Sequence, residues 1–255
     1  MTKTIALAGK GGTGKTTVSA LIIKSLVLQG AGAVLAIDAD PSTNLHLALG
    51  LPMPVTVGEI REGMTDPAMS STLGVTVSRQ DFLNREIFMA LEEGDRVDLL
   101  AMGRPEGQGC YCAVNHLLRQ VVDDLEGGYD YVVIDNEAGM EHISRRTTKG
   151  VDLLLIVTDP TIRGMRAASS IAQIASEVDV DVRRMGLIIN RVQGDLPEPL
   201  NDAIEALGLE VLAMIPADAQ INENDALGES LLSLNGDSPA WMTIDDLMRK
   251  LAQEM

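Results

Sequence analysis

Aromatic side chains are nearly absent, with two Phe, one Trp and three Tyr in 255 residues. A core built without them must be aliphatic, with 13 Met filling irregular gaps. A base-stacking platform for nucleic acid lacks its raw material. Basic residues are scarce as well, 20 Lys and Arg against 37 Asp and Glu, for a formal net charge of −17. Such a surface repels DNA, RNA and anionic lipid, so neither nucleic acid nor a membrane is an expected partner. Cysteine appears only at Cys110 and Cys112, too few for a disulfide framework. No stretch approaches the roughly 20 apolar residues that span a bilayer. The opening Met1-Thr2-Lys3-Thr4 leads into a short apolar run that ends in glycines, without the cleavage site of a signal peptide. The expected location is the cytoplasm.

What remains is ample for a core: 45% of residues are apolar and 22% charged. That balance excludes disorder and collagen-like structure. Short, β-branched apolar runs near 4–8, 33–37, 97–101, 131–134, 153–157, 185–189 and 210–214 read as strands. Helical periodicity near 16–29, 113–125, 165–177, 199–207 and 244–253 reads as helices. Strands that are apolar almost throughout and alternate with helices predict a mostly parallel α/β sheet covered on both faces. The pattern is that of one domain over residues 1–255, with a Pro- and Gly-bearing irregular excursion over about 50–95. Ligands of such sheets bind beyond the carboxyl ends of the strands.

Gly9-Lys10-Gly11-Gly12-Thr13-Gly14-Lys15-Thr16-Thr17 follows the first strand and opens the first helix, fitting G-x-x-x-x-G-K-[ST] in the context that pattern needs. Glycines let backbone N–H groups of Gly11, Gly12, Thr13 and Gly14 turn inward, and the helix N-terminus adds its dipole. Lys15 is placed to reach the β- and γ-phosphates, with Thr16 as a Mg²⁺ ligand and Thr17 beside it. The segment with Lys10 resembles the deviant Walker A loop of the family that includes nitrogenase iron protein, MinD and ParA. In that family the early lysine, here Lys10, crosses a dimer interface to the partner's nucleotide.

Asp38-Ala39-Asp40-Pro41 follows the second strand, with two carboxylates two residues apart and a proline that ends pairing. The resemblance assigns Asp40 to the attacking water and Asp38 to the Mg²⁺ neighbourhood; an acidic loop capping a helix through Asp40 or Ser42 is the alternative. Tyr131-Val132-Val133-Ile134-Asp135 is a buried strand ending in a carboxylate, and Asp135 is expected to hold Mg²⁺ through water. Gly139 completes D-x-x-x-G. Asn190-Arg191 and Pro216-Ala217-Asp218 end later strands and resemble the adenine-side segments of the same family. Asn190 offers the base a donor and an acceptor, and Asp218 an acceptor. Loop capping is the alternative role for both. The guanine-reading N-K-x-D is absent, which favours ATP over GTP.

Cys110 and Cys112, two residues apart in a glycine-rich run, place two thiols on one side of an extended chain, suited to gripping one metal rather than each other. Two thiolates are half of a tetrahedral site. Such a site needs completion by His or carboxylate, or by a second copy across a twofold axis; two small buried hydrophobes at a helix N-terminus are the alternative reading. Four thiolates suit Zn²⁺, Ni²⁺, Cu(I) or an iron–sulfur cluster. Of the histidines, only His116 stands one helical turn from Cys112; His46 and His142 read as structural.

Over nearly its whole length the sequence is similar to CooC-type ATPases, which mature the nickel site of carbon monoxide dehydrogenase; similar proteins serve acetyl-CoA synthase. The resemblance rests on the Lys10 loop, on Gly103-Arg104-Pro105-Glu106-Gly107 before the cysteine pair, and on Asp135-Asn136-Glu137-Ala138-Gly139-Met140-Glu141-His142. It implies a homodimer formed with ATP and metal, a Cys110/Cys112 pair bridging subunits with nickel or zinc, and hydrolysis to ADP coupled to nickel insertion into an acceptor enzyme. The alternatives are a MinD- or ParA-like nucleotide switch without a metal role, and an iron–sulfur carrier or reductase.

Overall fold

A computed structural model describes residues 2–65, 79–103, 125–137, 150–177 and 181–254. Eight strands form one sheet: β1 (Lys3–Gly9), β2 (Val34–Ala39), β3 (Glu92–Glu93), β4 (Val97–Ala101), β5 (Tyr131–Asn136), β6 (Val151–Thr158), β7 (Val182–Val192) and β8 (Glu210–Pro216). Their order is β3-β4-β2-β5-β1-β6-β7-β8. Every neighbouring pair is parallel except β3 with β4. The parallel α/β architecture and all seven strands read from the sequence are present.

Successive residues of β1 serve opposite faces, as the two-residue strand period requires. Ile5 and Leu7 join one core cluster, Ala6 and Ala8 the other. The first cluster lies under α1 (Lys15–Leu28), α2 (Leu45–Leu49) and α8 (Pro239–Glu254). The second contains Val57 of α3 (Val57–Thr65) and Ile87 of α4 (Arg79–Met89). It continues through Met165, Ala168 and Ile171 of α5 (Ile162–Glu177) and Leu200 and Ile204 of α6 (Glu198–Leu207). A further helix, α7 (Ala219–Leu227), buries none of its residues.

Ten of the fourteen residues of α1 are buried, so this helix is enclosed rather than amphipathic. Two of its buried polar side chains, Lys24 and Ser25, are partnered from neighbouring elements. Lys24 Nζ donates to Leu234 O at 2.5 Å and lies 4.6 Å from the Trp241 ring centroid. Burial pushes the Lys24 ammonium below its ordinary pKa. Ser25 Oγ donates to Asp245 Oδ1 of α8 at 2.7 Å.

The structure departs from the sequence reading in three places. Within 50–95 the chain forms α3, α4 and the two-residue β3 where an irregular excursion was expected. Two further helices were not read at all. Five-residue α2 is too short to show a period, and α7 carries a polar sequence with no buried face. Helix α8 begins at Pro239, five residues before the expected start, because Ser238 Oγ accepts from Trp241 N at 3.1 Å and caps it. The expected helix over 113–125 lies outside the described residues except for Leu125.

Candidate nucleotide site

The carboxyl ends of three adjacent strands, β2, β5 and β1, converge. Asp38 pairs in register with Asp135, and Asp135 with Leu7, two residues before the phosphate loop begins. The loop runs from Gly9 into α1, with Gly12 at φ +80° and Gly14 at φ +89°, values only glycine adopts freely. Lys15 is buried and reaches back across the loop, its Nζ 3.5 Å from Lys10 O. The Lys10 side chain is exposed.

Thr16 Oγ1 donates to Asp135 Oδ2 at 2.6 Å, joining the first helix to the end of β5. The other oxygen, Asp135 Oδ1, is buried without a hydrogen-bond partner. Burial raises the Asp135 pKa to about 6, against the lowering effects of Thr16 and Lys15. A hydroxyl and an unsatisfied carboxylate oxygen are hard oxygen donors of the kind Mg²⁺ takes, so Thr16 and Asp135 fit that ion. When bound with nucleotide, Mg²⁺ neutralises phosphate charge. No cluster of three His, Cys, Asp or Glu side chains forms a metal cage among the described residues. Mg²⁺ does not need one, since it keeps several waters and takes oxygens from the phosphates themselves.

Asp38 is fully buried and its carboxylate shapes the loop that follows it. Its Oδ1 accepts from Asp40 N at 3.0 Å and its Oδ2 from Leu45 N at 2.9 Å, at the start of α2. Burial raises the Asp38 pKa to about 7, the neighbouring Asp135 charge adds to the rise, and the two backbone donors oppose it. Asp40 lies past the end of β2 in a bend, half-buried, with its Oδ1 accepting from Ser42 N at 2.8 Å. The two carboxylates thus occupy different surroundings, one inside the sheet and one facing the loop. Asn136 Nδ2 donates to Leu7 O at 2.7 Å and ties β5 to β1.

Beside the loop opens a cavity of about 430 Å³ whose lining includes Thr16, Thr17, Asn190, Arg191, Pro216 and Asp218. Six residues expected to bind nucleotide are therefore brought to one cavity. Asn44, Leu47 and Ala48, around α2, and Ile221 and Asn222 of α7 complete much of the wall. No sequence signal marks these, because they belong to or border the two helices that lack a readable period. Asp218 also caps α7: its Oδ1 accepts from Gln220 N at 2.9 Å, and its Oδ2 from Ser238 Oγ at 2.5 Å and Ala240 N at 3.1 Å. Cys110, Cys112, His116, Gly139 and His142 lie outside the described residues.

A strand–loop–helix with a buried lysine, a hydroxyl on a strand-end carboxylate and an adjoining cavity is a nucleotide site. Over residues 4–231 the sequence matches the family described as CobQ/CobB/MinD/ParA nucleotide binding domain. The chain belongs to that family. It is a P-loop ATPase. An uncharacterised ATP-binding protein of Methanocaldococcus jannaschii is 38% identical over 97% of each chain. The carbon monoxide dehydrogenase accessory protein CooC of Rhodospirillum rubrum is 30% identical, covering 91% of this chain and 90% of its own. The solved structure of the septum site-determining protein MinD complexed with Mg-ADP from Pyrococcus horikoshii shares the fold. Its TM-score is 0.74 at 23% identity, covering 100% of this chain and 97% of that one. Among the described residues no helix is long and apolar enough to cross a membrane.

Proposed function

We propose that this ATPase is a metallochaperone that couples ATP hydrolysis to nickel insertion into carbon monoxide dehydrogenase or a related nickel enzyme such as acetyl-CoA synthase. The observation that carries the reading is the pair Cys110 and Cys112 in a chain otherwise without cysteine, together with 30% identity to a carbon monoxide dehydrogenase accessory protein. Two soft thiolates at that spacing have no role in phosphate chemistry and suit Ni²⁺ or Zn²⁺.

In this reading two copies clamp around nucleotide. Lys10, exposed at the loop, reaches the partner's phosphates, and Lys15 holds the phosphates of its own site. Thr16 and Asp135 are the residues that would hold Mg²⁺, with Asp38 behind them. Asp40, half-buried past the strand end, orients the attacking water. Asn190, Arg191, Pro216 and Asp218 face the adenosine end of the cavity. The metal is cargo, gripped by one Cys110/Cys112 pair from each copy and released when hydrolysis opens the dimer.

The test is a nickel titration of the wild type and of Cys110→Ser/Cys112→Ser, both with a non-hydrolysable ATP analogue. The expected outcome is about one nickel per two chains in the wild type, as four thiolates require, and loss of that binding in the double variant. Equal nickel affinity in both proteins places the metal elsewhere and favours a nucleotide switch without metal.

A further inference from the structure

A loop whose N–H groups face a phosphate turns its carbonyls the other way, and those carbonyls need donors of their own. Within the phosphate loop, Lys10 O is met by Thr13 Oγ1 at 2.9 Å, and Gly14 O accepts the first helical bond from Val18 N at 3.0 Å. Of the three carbonyls between them, two are met from a different element. Arg191 Nη1 donates to Gly12 O at 3.0 Å, and Asn190 Nδ2 donates to Thr13 O at 2.8 Å.

Both donors sit on an irregularity in β7. From Ile189 to Val192 that strand advances three residues while β8 advances two, from Met214 to Pro216. One extra residue in a strand re-aims the side chains around it. Arg191 takes φ +60°, a left-handed conformation that a non-glycine residue keeps only where its surroundings impose it. Asn190 Oδ1 supplies part of that constraint by accepting from Arg191 N at 2.9 Å. The loop is shaped to receive the pair. A Cβ on Gly14 would come within 2.4 Å of Asn190 Nδ2.

We infer that Asn190 and Arg191 are positioning residues for the triphosphate, a strut that fixes the outward carbonyls of Gly12 and Thr13 so that the loop's N–H groups face the phosphates. The inference rests on the nucleotide site alone and is independent of metal delivery. Asn190 keeps one N–H and one lone pair for a base edge, so its two duties are separable only with a ligand that has no base.

That ligand is inorganic tripolyphosphate. Its affinity and that of ATP, each with Mg²⁺, are measured by calorimetry for the wild type, Asn190→Ala, Arg191→Gly and Arg191→Lys. Glycine adopts φ +60° without strain, so Arg191→Gly keeps the fold while removing the guanidinium, and its melting temperature is read alongside. The expected result is a loss of roughly tenfold or more for tripolyphosphate and ATP alike in Asn190→Ala and Arg191→Gly, with Arg191→Gly melting no lower than wild type. Arg191→Lys, which keeps a donor and the charge, recovers part of the affinity. Unchanged tripolyphosphate affinity in Arg191→Gly, or a loss confined to ATP in Asn190→Ala, overturns the assignment and leaves the pair as base readers only.

Discussion

Asp135 illustrates how one side chain can be held against its own solvation. Its Oδ1 is buried without a hydrogen-bond partner, and its pKa is raised to about 6. A carboxyl group whose folded pKa lies above its unfolded value stabilises the fold only while it is protonated. That contribution is complete below about pH 4 and is lost as pH rises through about 6. Asp135→Asn keeps the acceptor for the Thr16 hydroxyl and removes the ionisation. Without nucleotide and Mg²⁺, urea unfolding should show the variant more stable than wild type by on the order of 2–3 kcal/mol at pH 8. The difference should shrink steadily towards pH 4. A gain independent of pH would mean that the charge is not what strains the site. For half-buried Asp40 the proposed function assigns a different task, orienting the attacking water. Asp40→Ala should lower turnover on the order of 10²–10³-fold with little change in ATP affinity, whereas Lys15→Ala should lose the affinity itself; steady-state kinetics beside equilibrium binding separates the two.

Among the elements, the sheet was readable because its strands are buried on both faces and therefore apolar nearly throughout. Helices α1, α5, α6 and α8 were readable in most of their length for a related reason, since each buries a face or is enclosed. Where burial is slight the reading failed. Helix α7 lines the cavity beside the phosphate loop with Ile221 and Asn222 yet buries no residue, and nothing in Gln220-Ile221-Asn222-Glu223-Asn224 marks a helix. Its stability comes instead from its ends, Asp218 at the start and Gly228 at φ +67° after the finish. The phosphate loop was fully legible, because its chemistry demands a fixed spacing of glycine, lysine and threonine. Asn190 and Arg191 were legible as cavity residues but not as a support for that loop, because a bulge depends on the register of two strands and leaves no mark on either alone. The capping by Asp218 gives this scale its own prediction. Asp218 accepts three donors, so Asp218→Ala should cost about 2–4 kcal/mol of stability. Chemical denaturation measures it. A variant of unchanged stability but weakened ATP binding would make Asp218 a ligand contact rather than a cap.

For the molecule as a whole, one family and fold serve relatives with different names, so fold alone does not choose among functions. The chain shares 30% identity with a carbon monoxide dehydrogenase accessory protein and its fold with a MinD bound to Mg-ADP. What sets this chain's proposed task is the union of an ATP site with a Cys110/Cys112 pair that the proposal reads as ligands of one soft metal. Under the proposed function, a net charge of −17 leads to the expectation that docking to an acceptor enzyme weakens with salt. The central claim is that nucleotide and nickel are bound by the same dimer. Native mass spectrometry of the wild type with Ni²⁺, with and without a non-hydrolysable ATP analogue, tests it most directly. The account predicts a nucleotide-dependent dimer that carries one nickel per two chains and loses it in Cys110→Ser/Cys112→Ser. A nucleotide-driven dimer whose formation and mass ignore nickel would contradict it and leave an ATPase that acts by its oligomeric state alone.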